Sequence, residues 1–209
     1  MKMEDFLRVP VMGILRGIKL ESIAELVTAL NDTPLKYIEV TMDTDGAVEL
    51  IRELKSQSKG CMTVGAGTVL NREELEMAIA AGAEFIVSPV LVKEVVATCV
   101  EESIPVFPGA FSPQEIVDAY QAGASMVKVF PCSRFGPEYI KELRGPFPDI
   151  PLLACGGVNA DNVSDYFAKG ATGIAFGGSI FNNELIANGG FKEITQRIIQ
   201  IMKSVNESS

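Results

Sequence analysis

The stretch "AYQAGASMVKVFP" (residues 119–131) joins the end of a predicted helix to the start of a predicted strand. Its amphipathic run stops at Gly123, and glycine is the residue type that most readily follows a helix C-terminus. The same layout recurs in "AIAAGAEFIVSP" (78–89) and "YFAKGATGIAFGG" (166–178), where an apolar run begins two or three residues after the glycine. Each stretch therefore predicts one helix-to-strand unit.

Extending this layout along the chain predicts eight strands with helical patterns between them. The strands lie near residues 10–15, 36–41, 62–66, 84–88, 104–107, 125–130, 151–155 and 173–176. Short apolar strands that alternate with helices are typical of parallel sheets that are buried on both faces. We therefore expect an α/β fold, a single (β/α)8 TIM barrel. An open doubly wound sheet is the alternative.

Length and composition favour one domain that covers residues 1–209, with residues 205–209 expected to be loose. The 27 acidic residues outnumber the 18 basic ones, and the resulting net charge of −9 argues against a nucleic-acid partner. The first residues contain no apolar signal segment, and no apolar run approaches the roughly 20 residues of a membrane span. We expect a cytoplasmic protein without a membrane partner.

The residue types that usually form metal sites and catalytic triads are scarce. The chain has no histidine, and none of its four cysteines forms a CxxC pair. These absences argue against a zinc site and exclude a Ser-His or Cys-His catalytic unit. We interpret Cys61, Cys99, Cys132 and Cys155 as small reduced core residues.

Lys128 lies at the centre of an apolar predicted strand and shares one face of it with Met126 and Phe130. Desolvation favours the neutral form of an amine, and a neutral amine can attack a ketone or aldehyde to form a Schiff base. This interpretation requires Lys128 to face the barrel interior. Alternatively, Lys128 reaches past a helix to water or is a structural partner of Glu39.

Glu39, in "KYIEVTMDT" (36–44), is a second charged residue inside an apolar predicted strand. If its carboxylate faces the same cavity as Lys128, it could move protons during imine formation and at the carbon where a bond breaks. Alternatively, it faces solvent at a sheet edge.

Functional groups of a TIM barrel collect where strands end and helices begin. Two glycine-rich turns, at 156–157 and 177–179, follow the last two predicted strands, and their backbone N–H groups could bind a phosphate. Simple tight turns would also explain the glycines. At the same rim, Arg16 is a candidate partner for a carboxylate and Thr68 a candidate hydrogen-bond donor.

Eight short motifs, in this order, resemble the 2-keto-3-deoxy-6-phosphogluconate and 4-hydroxy-2-oxoglutarate (KDPG and KHG) aldolase family. They are "ILRG", "IEVTMDT", "VGAGTVL", "IVSP", "PVFPG", "VKVFP", "CGGV" and "GGS", and they span nearly the whole chain. The resemblance implies a class I aldolase in which Lys128 forms a Schiff base with the C2 carbonyl of a keto acid and Glu39 is the general acid/base. It implies no metal, no cofactor besides the covalent lysine imine, and a homotrimer.

The resemblance also implies how a small-molecule 2-keto acid, which we expect to be phosphorylated, is held. Arg16 and Thr68 would bind the pyruvyl carboxylate, and two apolar side chains would wall the cavity. The implied wall residues are Pro89 and Phe130, and the implied phosphate-binding residues are Gly156, Gly157, Gly178 and Ser179. The products would be pyruvate and an aldehyde, either glyceraldehyde 3-phosphate or glyoxylate.

Asp43 departs from the family pattern. Some phosphogluconate-type members have an arginine at this place, two residues after the threonine of the "EVT" motif, and this chain has an aspartate. The gluconate substrate, its galactonate epimer and an unphosphorylated keto acid all stay open. A sugar-phosphate isomerase or synthase and a non-catalytic phosphate-binding barrel are the alternative functions.

Overall fold

A computed structural model of the chain describes residues 1–207. Within them, nine parallel strands form one sheet in the order β5-β4-β3-β2-β1-β9-β8-β7-β6. The strands are β1 (Val11–Leu15), β2 (Tyr37–Thr41), β3 (Thr63–Gly67), β4 (Ile86–Val87), β5 (Val106–Phe107), β6 (Gly109–Ala110), β7 (Val127–Val129), β8 (Leu152–Cys155) and β9 (Gly173–Phe176). All adjacent strands run parallel, as in the predicted barrel.

Helices connect the strands along the described part of the chain. They are α1 (Met3–Arg8), α2 (Ile23–Asn31), α3 (Ala47–Ser58), α4 (Arg72–Ala81), α5 (Lys93–Glu101), α6 (Pro113–Gln121), α7 (Gly136–Arg144), α8 (Val163–Ala168), α9 (Asn183–Ala187) and α10 (Phe191–Glu207). Short 3-10 helices span Leu20–Ser22 and Cys132–Arg134. The three glycines of the repeated layout have φ angles of 97°, 102° and 97°, which confirms that they follow helices: Gly82, Gly123 and Gly170.

The fifth predicted strand, near residues 104–107, is observed as β5. A further short strand, β6, follows Pro108, which has no N–H group to contribute to a ladder. Strand β5 pairs with β4, whereas β6 pairs with β7. Consecutive carbonyls of this segment accept bonds from opposite neighbours: Phe107 O from Ser88 N at 3.2 Å and Pro108 O from Lys128 N at 2.9 Å. The segment therefore closes the sheet into a single TIM-type (β/α)8 barrel, as predicted, and excludes the open sheet.

The barrel interior is apolar at one end. Side chains from alternate strand positions form a buried cluster there, which helix α1 covers. Phe6 of α1 has no exposed surface and packs edge-on against Tyr37 and Phe107, with ring centroids 4.9 and 5.6 Å apart. Polar interior groups are consequently confined to the opposite end, where the strands finish.

Helix α10 continues to Glu207, and its Val205 side chain is buried, whereas the sequence predicts a loose segment from residue 205. Burial of an apolar face against the barrel holds this part of the chain in the helix. Residues 208–209 of that prediction lie outside the described residues. Within the described range, no helix is both long and apolar enough to cross a membrane.

Candidate active site

A cavity of about 790 Å³ opens at the carboxyl ends of the strands. Nine of the ten predicted site residues line it: Arg16, Thr68, Pro89, Lys128, Phe130, Gly156, Gly157, Gly178 and Ser179. Glu39 is the tenth, and it lies buried in the barrel wall without lining the cavity. Gly177 of the second glycine-rich turn and six residues that the sequence interpretation did not assign to the site complete the lining: Ile14, Cys155, Phe181, Asn182, Asn183 and Glu184.

Lys128 faces the barrel interior. Its neighbours on β7, Val127 and Val129, pack into the core between sheet and helices, so strand alternation turns Lys128 inward. Only 6% of its surface is exposed, and its Nζ atom lies 5.3 Å from the ring centroid of Phe130. These positions exclude the outward-facing alternative. A nearly desolvated amino group at the floor of an open cavity is suited to attack a bound carbonyl.

Glu39 is fully buried on β2, level with Ile14 on one side and Gly65 on the other. Among the described residues, neither of its carboxylate oxygens has a hydrogen-bond partner. Burial raises the pKa of Glu39 to about 7, and the charges of Lys128 and Arg16 oppose that rise. An unpaired carboxyl that titrates near neutrality can take up and release protons under working conditions.

Gly67 provides the space that Glu39 needs. A Cβ atom at this position on β3 would overlap the Glu39 carboxylate. The glycines of "VGAGTV" therefore have a packing role here, since a side chain at Gly65 would likewise overlap the Phe85 ring. Sequence patterns alone gave no signal for the contact between Gly67 and Glu39, which depends on the register of two strands.

Arg16 and Thr68 meet at the cavity rim, where Arg16 Nη2 donates a hydrogen bond of 3.0 Å to Thr68 Oγ1. Arg16 Nη1 also lies 3.2 Å from Asp43 Oδ2. The aspartate that departs from the family pattern thus contacts the arginine predicted to bind the carboxylate. One guanidinium joins an anionic and a hydroxyl side chain, and its remaining N–H groups are available to a ligand.

The two glycine-rich turns face the cavity from adjacent strands. Gly156 and Gly157 have φ angles of 98° and 75°, so backbone conformation alone accounts for glycine at both positions. Gly178 differs, because its φ is not positive and a Cβ there would meet no atom within 4 Å. Within residues 1–207, the backbone N–H groups of Gly157, Gly178 and Ser179 donate to no other protein group. They are available to an anion.

The hydroxyl of Ser179, an implied phosphate-binding residue, already has a protein partner. It donates to the carbonyl of Val158 at 2.8 Å and so ties the two glycine-rich turns together. From the other side, Arg197 of α10 donates to the Ser179 carbonyl at 3.0 Å. This arginine, which the sequence interpretation missed, also forms an ion pair with Glu193 of α10, so its role here is to hold the turn. Its position in an amphipathic helix gave no signal.

Cys155, at the end of β8, lies beside the lysine. It is 2% exposed, and it lines the same cavity as Lys128. Burial raises the pKa of the Cys155 thiol, and the charge of Lys128 opposes that rise. Strand alternation in "LLAC" could have indicated that this cysteine faces inward with Leu153.

The other cysteines fit the sequence interpretation with one exception. All four are free thiols, and Cys99 and Cys132 are buried as expected, with pKa values that burial raises to about 12. Cys61 is exposed, because it follows the turn between α3 and β3, so its assignment to the core is wrong. In the described part of the chain, no three histidine, cysteine or acidic side chains group in a way that could hold a metal ion.

Comparison with known proteins is consistent with this geometry. The family model "KDPG and KHG aldolase" matches residues 3–197. The chain is 34% identical over 200 residues to the 2-dehydro-3-deoxy-phosphogluconate aldolase of Treponema pallidum, covering 93% of this chain and 94% of the relative. It is 31% identical over 175 residues to the 2-dehydro-3-deoxy-6-phosphogalactonate aldolase of Escherichia coli K12, covering 83% and 85%.

A solved structure of KDPG aldolase from Legionella pneumophila, with pyruvate captured as a covalent carbinolamine intermediate, has a TM-score of 0.86 to this chain. The two are 27% identical, and the match covers 94% of this chain and 95% of that one. The barrel, the family match over residues 3–197 and the sequence similarity to two aldolases agree. The chain therefore belongs to the KDPG and KHG aldolase family.

Proposed function

We propose that the chain is a class I aldolase whose Lys128 forms a Schiff base with the C2 carbonyl of a 2-keto acid. The observation that carries this proposal is the position of Lys128, 6% exposed inside the barrel and on the surface of an open cavity. The amine adds to C2 to give a carbinolamine, which loses water to form an iminium. The carbinolamine that pyruvate forms in the Legionella pneumophila relative supports the same chemistry here.

Glu39 takes the role of general acid/base. Because Glu39 does not line the cavity, its ionised carboxylate accepts the proton of the C4 hydroxyl through one bridging water. The C3–C4 bond breaks, and the electron pair moves toward the iminium nitrogen to give an enamine. The aldehyde leaves, C3 is protonated, and hydrolysis releases pyruvate and the free lysine. Support comes from the burial of Glu39, its unpaired oxygens and its pKa of about 7. The same carboxyl can therefore accept one proton and return another.

The carboxylate of the keto acid binds to Arg16 and Thr68, which are hydrogen-bonded to each other at the rim. Pro89 and Phe130 form the apolar wall of the cavity, and the half-exposed Phe130 ring lies over the lysine. This arrangement places a charge-assisted site on one side of the lysine and apolar surface beside it. Such a site orients a short acid with its carbonyl toward the amine.

A phosphate at the far end of the substrate binds to the backbone N–H groups around Gly157, Gly178 and Ser179. Their lack of protein acceptors supports this role, and the bond from Arg197 to the Ser179 carbonyl holds the turn in place. The substrate is accordingly a 2-keto-3-deoxy-6-phospho sugar acid, and 4-hydroxy-2-oxoglutarate is the shorter alternative. Relatives named for both the gluconate and the galactonate phosphates leave both epimers as candidates.

A pyruvate-release assay tests the reaction. The purified protein is given the gluconate and galactonate keto-deoxy-phosphates and 4-hydroxy-2-oxoglutarate in parallel, and pyruvate is measured with a coupled dehydrogenase. We expect release from at least one phosphorylated substrate and its loss in Lys128→Ala. The matched control is Lys141→Ala, which removes an exposed lysine of α7 that lies outside the cavity lining.

Two outcomes would contradict the proposal. Background release with all three substrates, together with ligand-induced thermal shifts, would indicate a non-catalytic binding barrel. Turnover of a sugar phosphate that persists in Lys128→Ala would indicate an isomerase or synthase without an imine. The homotrimer and the cytoplasmic location stay predictions, which light scattering and cell fractionation can test.

A further inference from the structure

The structure gives a role to Asp43, the residue that departs from the family pattern. We propose that Asp43 is a positioning residue that fixes the Arg16 guanidinium against Thr68 and thereby sets the affinity of the site for the substrate carboxylate. This inference rests on the proposed function, because it assumes that Arg16 and Thr68 bind that carboxylate. Its geometric basis is the pair of contacts at Arg16, 3.2 Å to Asp43 Oδ2 and 3.0 Å to Thr68 Oγ1.

The turn that carries Asp43 is rigidly attached to the turn that carries Arg16. The N–H of Thr44 donates to the Thr41 carbonyl at 2.9 Å, which closes the turn around Asp43. The hydroxyl of Thr44 accepts a 2.9 Å hydrogen bond from the Gly17 N–H, and it lies 3.0 Å from the Thr41 hydroxyl. Thr41 and Thr44 are both buried. Buried hydrogen bonds therefore hold the backbones on either side of the ion pair in register.

A third connection joins the Asp43 turn to Thr68. The N–H of Met42 donates to the carbonyl of Gly67 at 2.7 Å, directly before Thr68 in the chain. Thr68 itself has a φ of 56°, which is unusual for a β-branched residue and requires support from neighbouring structure. Arg16, Asp43 and Thr68 thus belong to one connected set of polar contacts, in which Asp43 supplies the negative charge.

The direction of the hydrogen bonds explains how this unit prepares the site. Thr68 Oγ1 accepts from Arg16, so its own O–H is free to donate toward the cavity. Asp43 pairs with Nη1 of Arg16 and Thr68 accepts from Nη2, and the guanidinium hydrogens not used in these two contacts are left to a ligand. A carboxylate would then meet two donors, one from Arg16 and one from Thr68, that are already aligned. Preorganised donors lose less side-chain entropy on binding.

Asp43 also has an opposing effect, because its negative charge lowers the positive potential that attracts an anion. The two effects predict opposite results when the charge is removed: weaker binding if positioning dominates, and tighter binding if charge dominates. Both partners are substantially exposed, 61% for Arg16 and 46% for Asp43. Solvent screens the charge effect at such a site, so we expect positioning to dominate and folding stability to change little.

Asp43→Asn tests the inference, with Asp45→Asn as the matched control. Asp45 is exposed in the same loop, carries the same charge and forms none of the ion pairs found among residues 1–207. The readout is the pyruvate concentration that gives half-maximal borohydride trapping. We expect Asp43→Asn to raise it by roughly three- to tenfold with the same maximal labelling, in line with the loss of a prepared binding group. Asp45→Asn should stay within about twofold of the wild type.

Two further variants separate positioning from a general structural effect. Asp43→Glu keeps the carboxylate and should restore part of the affinity. In an Arg16→Ala background, Asp43→Asn should have no further effect, since the guanidinium that it positions is gone. An unchanged or lower half-maximal concentration in Asp43→Asn, with normal labelling of the wild type, would overturn this inference alone. Absence of labelling in the wild type would overturn the proposed function and this inference with it.

Discussion

The Glu39 carboxylate on β2 occupies the space that a Cβ atom would need at Gly67 on β3. The glycine therefore fixes where the buried acid lies and, with it, how the acid faces the lysine across the barrel. Loss of that space should move the carboxylate.

The first prediction concerns Gly67→Ala. The added methyl group should displace Glu39 and lower kcat for aldol cleavage by about a hundredfold, the effect expected from an ångström-scale misplacement of a catalytic group. Overpacking should also reduce the free energy of unfolding by about 1–3 kcal/mol. Urea denaturation and steady-state kinetics measure both. The control is Gly145→Ala, where a Cβ would lie 3.5 Å from its nearest neighbour.

A double variant shows whether Glu39 causes this destabilisation. Removing the carboxylate in Gly67→Ala/Glu39→Ala should return most of the unfolding free energy lost in Gly67→Ala. If the double variant is as unstable as the sum of the two single variants, the two side chains do not compete for space.

The second prediction concerns the pH dependence of stability. The folded chain raises the pKa of Glu39 from its ordinary 4.5 to about 7, chiefly by burial. The folded state holds this proton more tightly than the unfolded state. Ionisation of Glu39 therefore does not change the free energy of unfolding below pH 4.5 and lowers it progressively between pH 4.5 and about pH 7. Above about pH 7 the full loss of unfolding free energy, roughly 3 kcal/mol, is present.

Glu39→Gln removes this titration. The variant should therefore gain stability relative to the wild type between about pH 5 and about pH 8. Comparing the wild type with Glu39→Gln at each pH cancels the contributions of the other carboxylates. If the two proteins differ in unfolding free energy by the same amount at both pH values, Glu39 does not titrate in this range.

The third prediction concerns the pH dependence of activity. If ionised Glu39 accepts the C4 hydroxyl proton, kcat/KM for aldol cleavage should rise with pH through a midpoint near 7, the pKa of this carboxyl in the free enzyme. Stopped assays of pyruvate release in a constant-ionic-strength buffer series give the profile. The residual activity of Glu39→Gln should lack this rise, and a rise of the same size in the variant would assign it to another group.

The fourth prediction concerns Cys155. Its side chain lines the cavity with Lys128, so Cys155→Ala should remove packing beside the amine, leave it less well oriented and slow imine formation by roughly tenfold. Rapid-quench trapping with pyruvate and borohydride measures this step. Cys132→Ala is the control, because Cys132 donates to the Val129 carbonyl in the outer core and does not line the cavity. Equal rates of imine formation in the two variants would show that Cys155 does not orient the Lys128 amine.

Much of the site follows from strand alternation, which is a local property. The pattern around Lys128 places it opposite Val127 and Val129, and the pattern around Glu39 does the same with Ile38 and Val40; both alternations hold in the structure. The rim glycines follow equally from the order of strands and turns. Local patterns therefore predict which face a residue occupies.

Relations between strands were not predictable in the same way. The overlap at Gly67 depends on the β2–β3 register, and the ion pair of Arg16 and Asp43 depends on two loops that are far apart in sequence. The hydrogen bond from the Ser179 hydroxyl to the Val158 carbonyl likewise depends on the meeting of two turns. Pro108 is the exception, since its missing N–H could have predicted the break between β5 and β6.

The most direct test of the central claim is to incubate the protein with pyruvate and sodium borohydride and to locate the adduct by peptide mass spectrometry. We predict one reduced pyruvyl adduct, on Lys128, which is absent without pyruvate and absent in Lys128→Arg. Labelling at another lysine, or no labelling at saturating pyruvate, would contradict the claim that the buried lysine of β7 is the Schiff-base nucleophile.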